Sequence, residues 1–313
     1  MAGSGTAVRT VCSALLAVGL GACAGGGKCT LGAAADLKVT TAGHAFFTDI
    51  TINDGTAHLQ VDTGAFANLL SDVAAQRLGM TQQMLGNATL AGVGQGARPI
   101  NLAISDSVRV GAAHAAHVVF ATAAPDAFLP GVDGLLGMDF MAEYDDDLDF
   151  GAGHLRLVAA HGDCSSPSSP LPDPVYIVPL EQLGNSASPV VTVSINGVKL
   201  KAVIDTGAMS TLMFRPAAER IGLPVDAILA ATRSRVGGLA MRPTRGAFGR
   251  LGLPITIGSL QITNLPMAIA DQGRANGADI LLGYDFVSLV HIWVSHSSHT
   301  VMMQYPSRPT PVR

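Results

Sequence analysis

Residues 48–80 read TDITINDGTAHLQVDTGAFANLLSDVAAQRLGM, and residues 191–223 read VTVSINGVKLKAVIDTGAMSTLMFRPAAERIGL. The two stretches align without a gap at an offset of 143, and eleven of the 33 positions are identical. Chance would give roughly two at ordinary composition. Self-similarity at a fixed offset signals an internal repeat. Further along, Gly134-Leu-Leu-Gly-Met-Asp-Phe140 answers Ile280-Leu-Leu-Gly-Tyr-Asp-Phe286 at an offset of 146. Between these blocks each half has a glycine-rich segment, Leu90-Ala-Gly-Val-Gly-Gln-Gly96 in the first and Val236-Gly-Gly-Leu239 in the second. Three landmarks in one order define a duplicated lobe. The first lobe is expected over 38–160 and the second over 175–306, with a Pro- and Ser-rich linker over 161–174 and a short tail over 307–313.

Strand is the dominant expectation. Phe46 to Ile52 and Val190 to Ile195 are β-branched and aromatic with alternating character. Asn53-Asp-Gly55 and Asn196-Gly197 suit hairpin turns, because Asn and Gly accept positive φ. The strands that follow run into Asp62 and Asp205. One short helix is expected after each. Ser71 suits an N-cap and Gly79 a stop in the first lobe, Pro216 a first turn and Gly222 a stop in the second. Asp149 to Leu155 and Ile292 to Met302 read as closing hairpins. The expected fold is therefore an all-β double lobe with one short helix per lobe.

The chemistry sits in Val61-Asp-Thr-Gly-Ala65 and Ile204-Asp-Thr-Gly-Ala208. Each puts a carboxylate at the end of an apolar strand, where burying a lone charge is costly. Two identical loops about a twofold axis would bring Asp62 and Asp205 together, and the pair would share one proton. Such a pair suits general acid–base hydrolysis by water, with no covalent intermediate, metal or cofactor. Thr63 and Thr206 can bond across to the opposite loop. Gly64 and Gly207 let backbone amides approach the carboxylates. Leu136, Gly137, Leu282 and Gly283 would pack beneath the loops and hold them rigid.

On these motifs the chain resembles the aspartic proteases, combining the Asp-Thr-Gly-Ala of the retroviral type with the two fused lobes of the pepsin type, and is most similar to bacterial retropepsin-like enzymes. The resemblance covers residues 45–305. It implies two closed β-barrel lobes related by pseudo-twofold symmetry, and an aspartic endopeptidase with Asp62 and Asp205 as catalytic pair and an extended peptide or envelope protein as substrate. It also implies flaps at Gly92, Val93, Gly94 and at Val236, Gly237, Gly238. Ala65 and Ala208 stand where pepsin-type enzymes carry a hydroxyl that stabilises the ionised aspartate, so a less acidic pH optimum than pepsin's is expected. Neither flap has the tyrosine of a pepsin flap. Both lobes lie in one chain, so a monomer suffices. The alternative is an inactive protease-like module that binds peptides on the envelope.

Composition bounds the rest. The 313 residues are 48% hydrophobic and only 13% charged, with net charge −4 and mean hydropathy +0.38. No basic run occurs, which argues against a nucleic-acid partner. Arg9, the apolar stretch Val11 to Leu20 and small residues after it read as a signal peptide over 1–22. Leu20-Gly21-Ala22-Cys23 resembles a bacterial lipobox, implying a lipid anchor on Cys23, a tether over 23–37 and the periplasmic face of a membrane. An ordinary cleaved signal and a soluble periplasmic protein is the alternative. Cys29 and Cys164 remain, either a disulfide or two free thiols. The run Gly92 to Gly96 lacks the strand–loop–helix setting of a nucleotide loop. His114 with His117 and His296 with His299 lack a supporting carboxylate and read as surface or hairpin histidines rather than metal ligands. Asp145-Asp-Asp147 with Asp149 reads as a solvated strand end rather than a calcium loop, and Trp293 as core.

Overall fold

The structure is a computed structural model that describes residues 28–90, 97–166, 169–238, 243–271 and 277–305. Three sheets carry it. In the first half, strands Ala45–Ile52 and Gly55–Val61 form a hairpin. The sheet continues through Gly134–Leu136, Leu69–Ser71, Val119–Ala123 and Asn101–Ile104. In the second half, Ser186–Ile195 and Val198–Ile204 form the matching hairpin, followed by Ile280–Leu282, Leu212–Phe214, Pro266–Ala270 and Thr244–Arg250. The order is the same in both, so the sequence repeat is also a repeat of topology. Asn53 and Asn196 take φ of 51° and 50° in the hairpin turns, as their residue type allows.

The third sheet has six strands, in the order Thr30–Lys38, His154–His161, Asp145–Asp149, His291–Ser295, Thr300–Gln304 and Tyr176–Pro179. It joins the halves, because Asp146 pairs with Val294 and Leu148 with Ile292. The two hairpins expected to close separate lobes therefore complete one shared sheet. An apolar core runs continuously from Phe46 and Leu59 through Leu148 and Leu157 to Val193 and Phe286. Trp293 packs with Val158, Leu171 and Met302 in a smaller apolar cluster.

The expected all-β pair of closed barrels with one helix each is overturned. The fold is mixed, 51% strand and 11% helix, and its sheets are open and uncurled. The first sheet ends at Ala113–Ala116 on one edge and Thr81–Gln83 on the other, and these do not pair. The described residues hold five α-helices, Asp72–Arg77, Met138–Met141, Arg215–Arg220, Val225–Ala230 and Tyr284–Val287. The first of these is capped by Ser71, whose side chain accepts from the Ala74 amide. Arg215–Arg220 has Pro216 in its first turn. Met138–Met141 and Tyr284–Val287 are four residues long, too short to show a helical period in sequence.

Two smaller expectations also change. The tether expected over 23–37 is strand from Thr30 onward, paired antiparallel with His154–His161 across a register shift between Ala33 and Ala35. Asp145, Asp146 and Asp147 are buried rather than solvated, because the second half covers them. Cys29 and Cys164 form a disulfide that closes a loop of 135 residues. Among the described residues, no helix is long and apolar enough to cross a membrane.

Candidate functional site

Each Asp-Thr-Gly loop leaves the end of a buried strand. The Asp62 amide donates to the Leu136 carbonyl and the Asp205 amide to the Leu282 carbonyl, both at 3.0 Å. Leu136 and Leu282 are themselves buried in the core, so the strand beneath fixes the start of each loop. Gly137 and Gly283 lie hard against the Ala67 and Ser210 carbonyls, where a Cβ would overlap the backbone. Their amides donate to Asn68 Oδ1 at 2.9 Å and Thr211 Oγ1 at 3.2 Å. The Asn68 and Thr211 amides in turn donate to Asp139 and Asp285, each at 2.9 Å. Burial pushes the Asp139 carboxyl up to about 6.

The loops then grip one another. Thr63 Oγ1 donates to the Ile204 carbonyl at 2.6 Å and accepts from the Thr206 amide at 3.0 Å. Thr206 Oγ1 donates to the Val61 carbonyl at 2.7 Å and accepts from the Thr63 amide at 3.0 Å. Both threonines are fully buried. Asp62 Oδ1 accepts from the amides of Gly64 and Ala65 at 3.0 and 2.9 Å. Asp205 Oδ1 accepts from Gly207 and Ala208 at 3.0 and 3.1 Å. A Cβ on Gly64 would overlap the Asp205 carboxyl, and one on Gly207 would overlap that of Asp62. Each carboxyl thus sits over the opposite loop's glycine. The two carboxyls are close enough that each shifts the other's protonation.

Electrostatics follow from that closeness. Burial pushes the Asp62 carboxyl up, while the Ala65 and Gly64 amides and the Asp205 carboxyl pull it down. Burial pushes Asp205 well up and the negative charge of Asp62 adds to it, against the pull of the Ala208 and Gly207 amides. Carboxyls so buried and so close disfavour two negative charges at once.

Both acids open onto one cleft of about 640 Å³. Its walls are mostly apolar. Leu69 and Leu135 from the first half face Leu212 and Leu281 from the second. These are not the leucines singled out from sequence. Strand alternation turns Leu136 and Leu282 into the core and Leu135 and Leu281 toward the cleft. Phe66 and Met209, equivalent in the repeat, are 51% and 45% exposed on its rim. Val236, Gly237 and Gly238 line it too. The first proposed flap, Gly92, Val93 and Gly94, lies outside the described residues, as does Cys23.

Two site residues carried no sequence signal. Gln60 Nε2 donates to the Gly207 carbonyl at 3.0 Å, and Ser188 Oγ to the Gly64 carbonyl at 3.4 Å. Their repeat equivalents are Val203 and Ala45, so no symmetric motif marks them. The histidine pairs stay away from the cleft lining. His296 does have a carboxylate partner, contrary to expectation, because its Nε2 lies 3.3 Å from Asp146 Oδ2 in the shared sheet. The acid comes from the other half, so spacing along the chain could not reveal it.

Comparison with known proteins bears on both halves separately. Residues 191–286 match the family described as "Aspartyl protease". Residues 48–143 match the family described as "gag-polyprotein putative aspartyl protease". No curated protein sequence matches the chain. The fold is similar to the crystal structure of aspartic proteinase from Irpex lacteus, with a TM-score of 0.55 at 14% identity. That likeness covers 89% of this chain and 98% of the fungal one. The chain therefore shares the fold of that aspartic proteinase, and each half matches an aspartyl-protease family.

Proposed function

We propose that the protein is an aspartic endopeptidase in which Asp62 and Asp205 activate water against a peptide bond. One observation carries the reading: each carboxyl rests on the opposite loop's glycine, so the two acids share one proton at the floor of one apolar cleft. Both carboxyls are raised, and Asp205 is the less exposed of the two, so Asp205 is taken as the protonated member and Asp62 as the ionised one. Asp62 takes a proton from water as the oxygen attacks the scissile carbonyl, and Asp205 gives its proton to the carbonyl oxygen. Asp62 then passes its proton to the leaving nitrogen, Asp205 recovers one from the diol, and the carbon–nitrogen bond breaks. The pair returns to its starting charge. Thr63 and Thr206 keep the loops in register, and Val236, Gly237 and Gly238 act as a flap. The apolar walls favour an extended peptide with large apolar side chains.

A single chain supplies both acids, so a monomer is sufficient. The lipobox at Cys23 and the Cys29–Cys164 disulfide support an exported protein, anchored at the periplasmic face of a bacterial membrane.

The test is hydrolysis of a mixed peptide library across pH. The wild type is expected to cut, with a bell-shaped profile reaching above the ordinary carboxylate range, because the pair must keep one proton and Asp205 gives it up late. Asp62→Asn is expected to lower kcat/KM by about a thousandfold or more. Equal cleavage by Asp62→Asn overturns the mechanism. Saturable peptide binding without cleavage at any pH leaves a peptide-binding module instead.

A further inference from the structure

Among the described residues lining the cleft, only Asp62, Asp205 and Arg235 are ionisable. The two acids are accounted for by the proposed chemistry; Arg235 is not. It sits on the short strand Arg235–Val236, paired antiparallel so that Arg235 faces Arg245 and Val236 faces Thr244. Val236 is buried among Val190, Val203 and Leu281 beneath the cleft, which anchors the strand. Arg235 beside it is exposed.

Three other arginines of the second half pair with acids. Arg245 bonds Asp271 at 2.8 Å, and Arg215 bonds Asp271, Asp226 and Glu219. Arg220 bonds Asp279. No ion pair or side-chain hydrogen bond joins Arg235 to another described residue. A guanidinium presents a planar fork of donors that matches a carboxylate, and it loses less on leaving water than an ammonium. Beside apolar walls, its natural complement is a carboxylate arriving with the substrate.

We propose that Arg235 is a specificity-determining residue that selects peptides carrying Asp or Glu where the chain runs along the second half of the cleft. Large apolar side chains fill the flanking positions, and the acidic side chain meets the guanidinium. The proposal rests on the peptide-cleft reading above, and binding separates it from catalysis.

The probe is a decapeptide library with Glu, Gln or Lys fixed at each position in turn. It is offered to wild type for cleavage and to immobilised full-length Asp62→Asn for binding. One position is expected to favour Glu over Gln by about five- to tenfold, a preference that shrinks between about 50 and 500 mM salt. Arg235→Gln should bring that ratio to about one, Arg235→Lys should keep part of it, and Arg235→Glu should turn the same position toward Lys. A Glu preference absent from wild type, or persisting in Arg235→Gln, overturns the assignment. Retention of Glu peptides without any cleavage supports Arg235 and counts only against the hydrolysis. Failure to retain any peptide overturns both.

Discussion

Gly64 and Gly207 decide how close two acids can come. A methyl group on either would occupy the space of the opposite carboxyl. The carboxyls cannot yield sideways, because each is held by two backbone amides of its own loop. Gly64→Ala should therefore separate the pair while leaving the strands beneath unchanged. A displacement near 1 Å at reacting groups costs about a hundredfold in rate. We expect kcat/KM for peptide hydrolysis to fall by at least about that factor, with the circular dichroism spectrum of the wild type retained. Activity within about threefold of wild type would show that the glycines are not set by the acid pair. The residue scale was largely legible in sequence. Asp62, Thr63 and Gly64 recur as Asp205, Thr206 and Gly207 in an aligned repeat. Gln60 and Ser188 were not legible, because each reaches a loop more than a hundred residues away and neither is repeated.

At the scale of the element, strand Asp145–Asp149 ties the halves through three consecutive acids. Asp145 accepts from Ser295 Oγ and the Ser297 amide, Asp146 meets His296, and Asp147 meets His291 and Arg156. Asp146 points toward the core, and its Oδ1 has no partner among the described residues. Burial pushes its carboxyl up to about 6, against the pull of His296, while the negative charge of Asp145 adds to the rise. A folded-state value above the unfolded one means that the folded protein binds the extra proton. This contribution to stability is complete below about 4 and disappears as pH rises through about 6. Two units correspond to on the order of 3 kcal/mol. Urea midpoints of the wild type should fall over that window, and Asp146→Asn should flatten the fall. An identical pH slope in the variant would remove Asp146 from the account. Asp147 behaves oppositely. Burial raises it, but His291 and Arg156 together outweigh burial and leave it lowered, so its contribution is lost only in stronger acid. The sequence could present these acids only as a charge run, because what buries them arrives from 150 residues downstream.

The whole molecule is held by a sheet to which both halves contribute and by the Cys29–Cys164 disulfide at its edge. The bond fixes the lead-in to Thr30–Lys38, the outermost strand, against the segment after His154–His161. A closed loop of 135 residues removes considerable freedom from the unfolded chain. The double change Cys29→Ser and Cys164→Ser should lower stability by about 2–4 kcal/mol, read as a shift in guanidinium midpoint. The acid pair lies elsewhere in the fold, so hydrolysis should persist. An unchanged midpoint would mean that strand pairing alone holds this edge.

The sequence by itself determined the duplication, the paired Asp-Thr-Gly loops, the hairpins ahead of them and the likeness to aspartic proteases, because these are written locally and twice. It did not determine sheet closure or helix count. Closure depends on whether distant edges pair, and four-residue helices are too short to leave a period. Only the tertiary structure decided that Asp145, Asp146 and Asp147 are buried, that Leu135 and Leu281 rather than their neighbours face the cleft, and that Arg235 lines it without an ion-pair partner among the described residues. Each depends on which surfaces meet, and that is settled by packing between segments far apart in the chain.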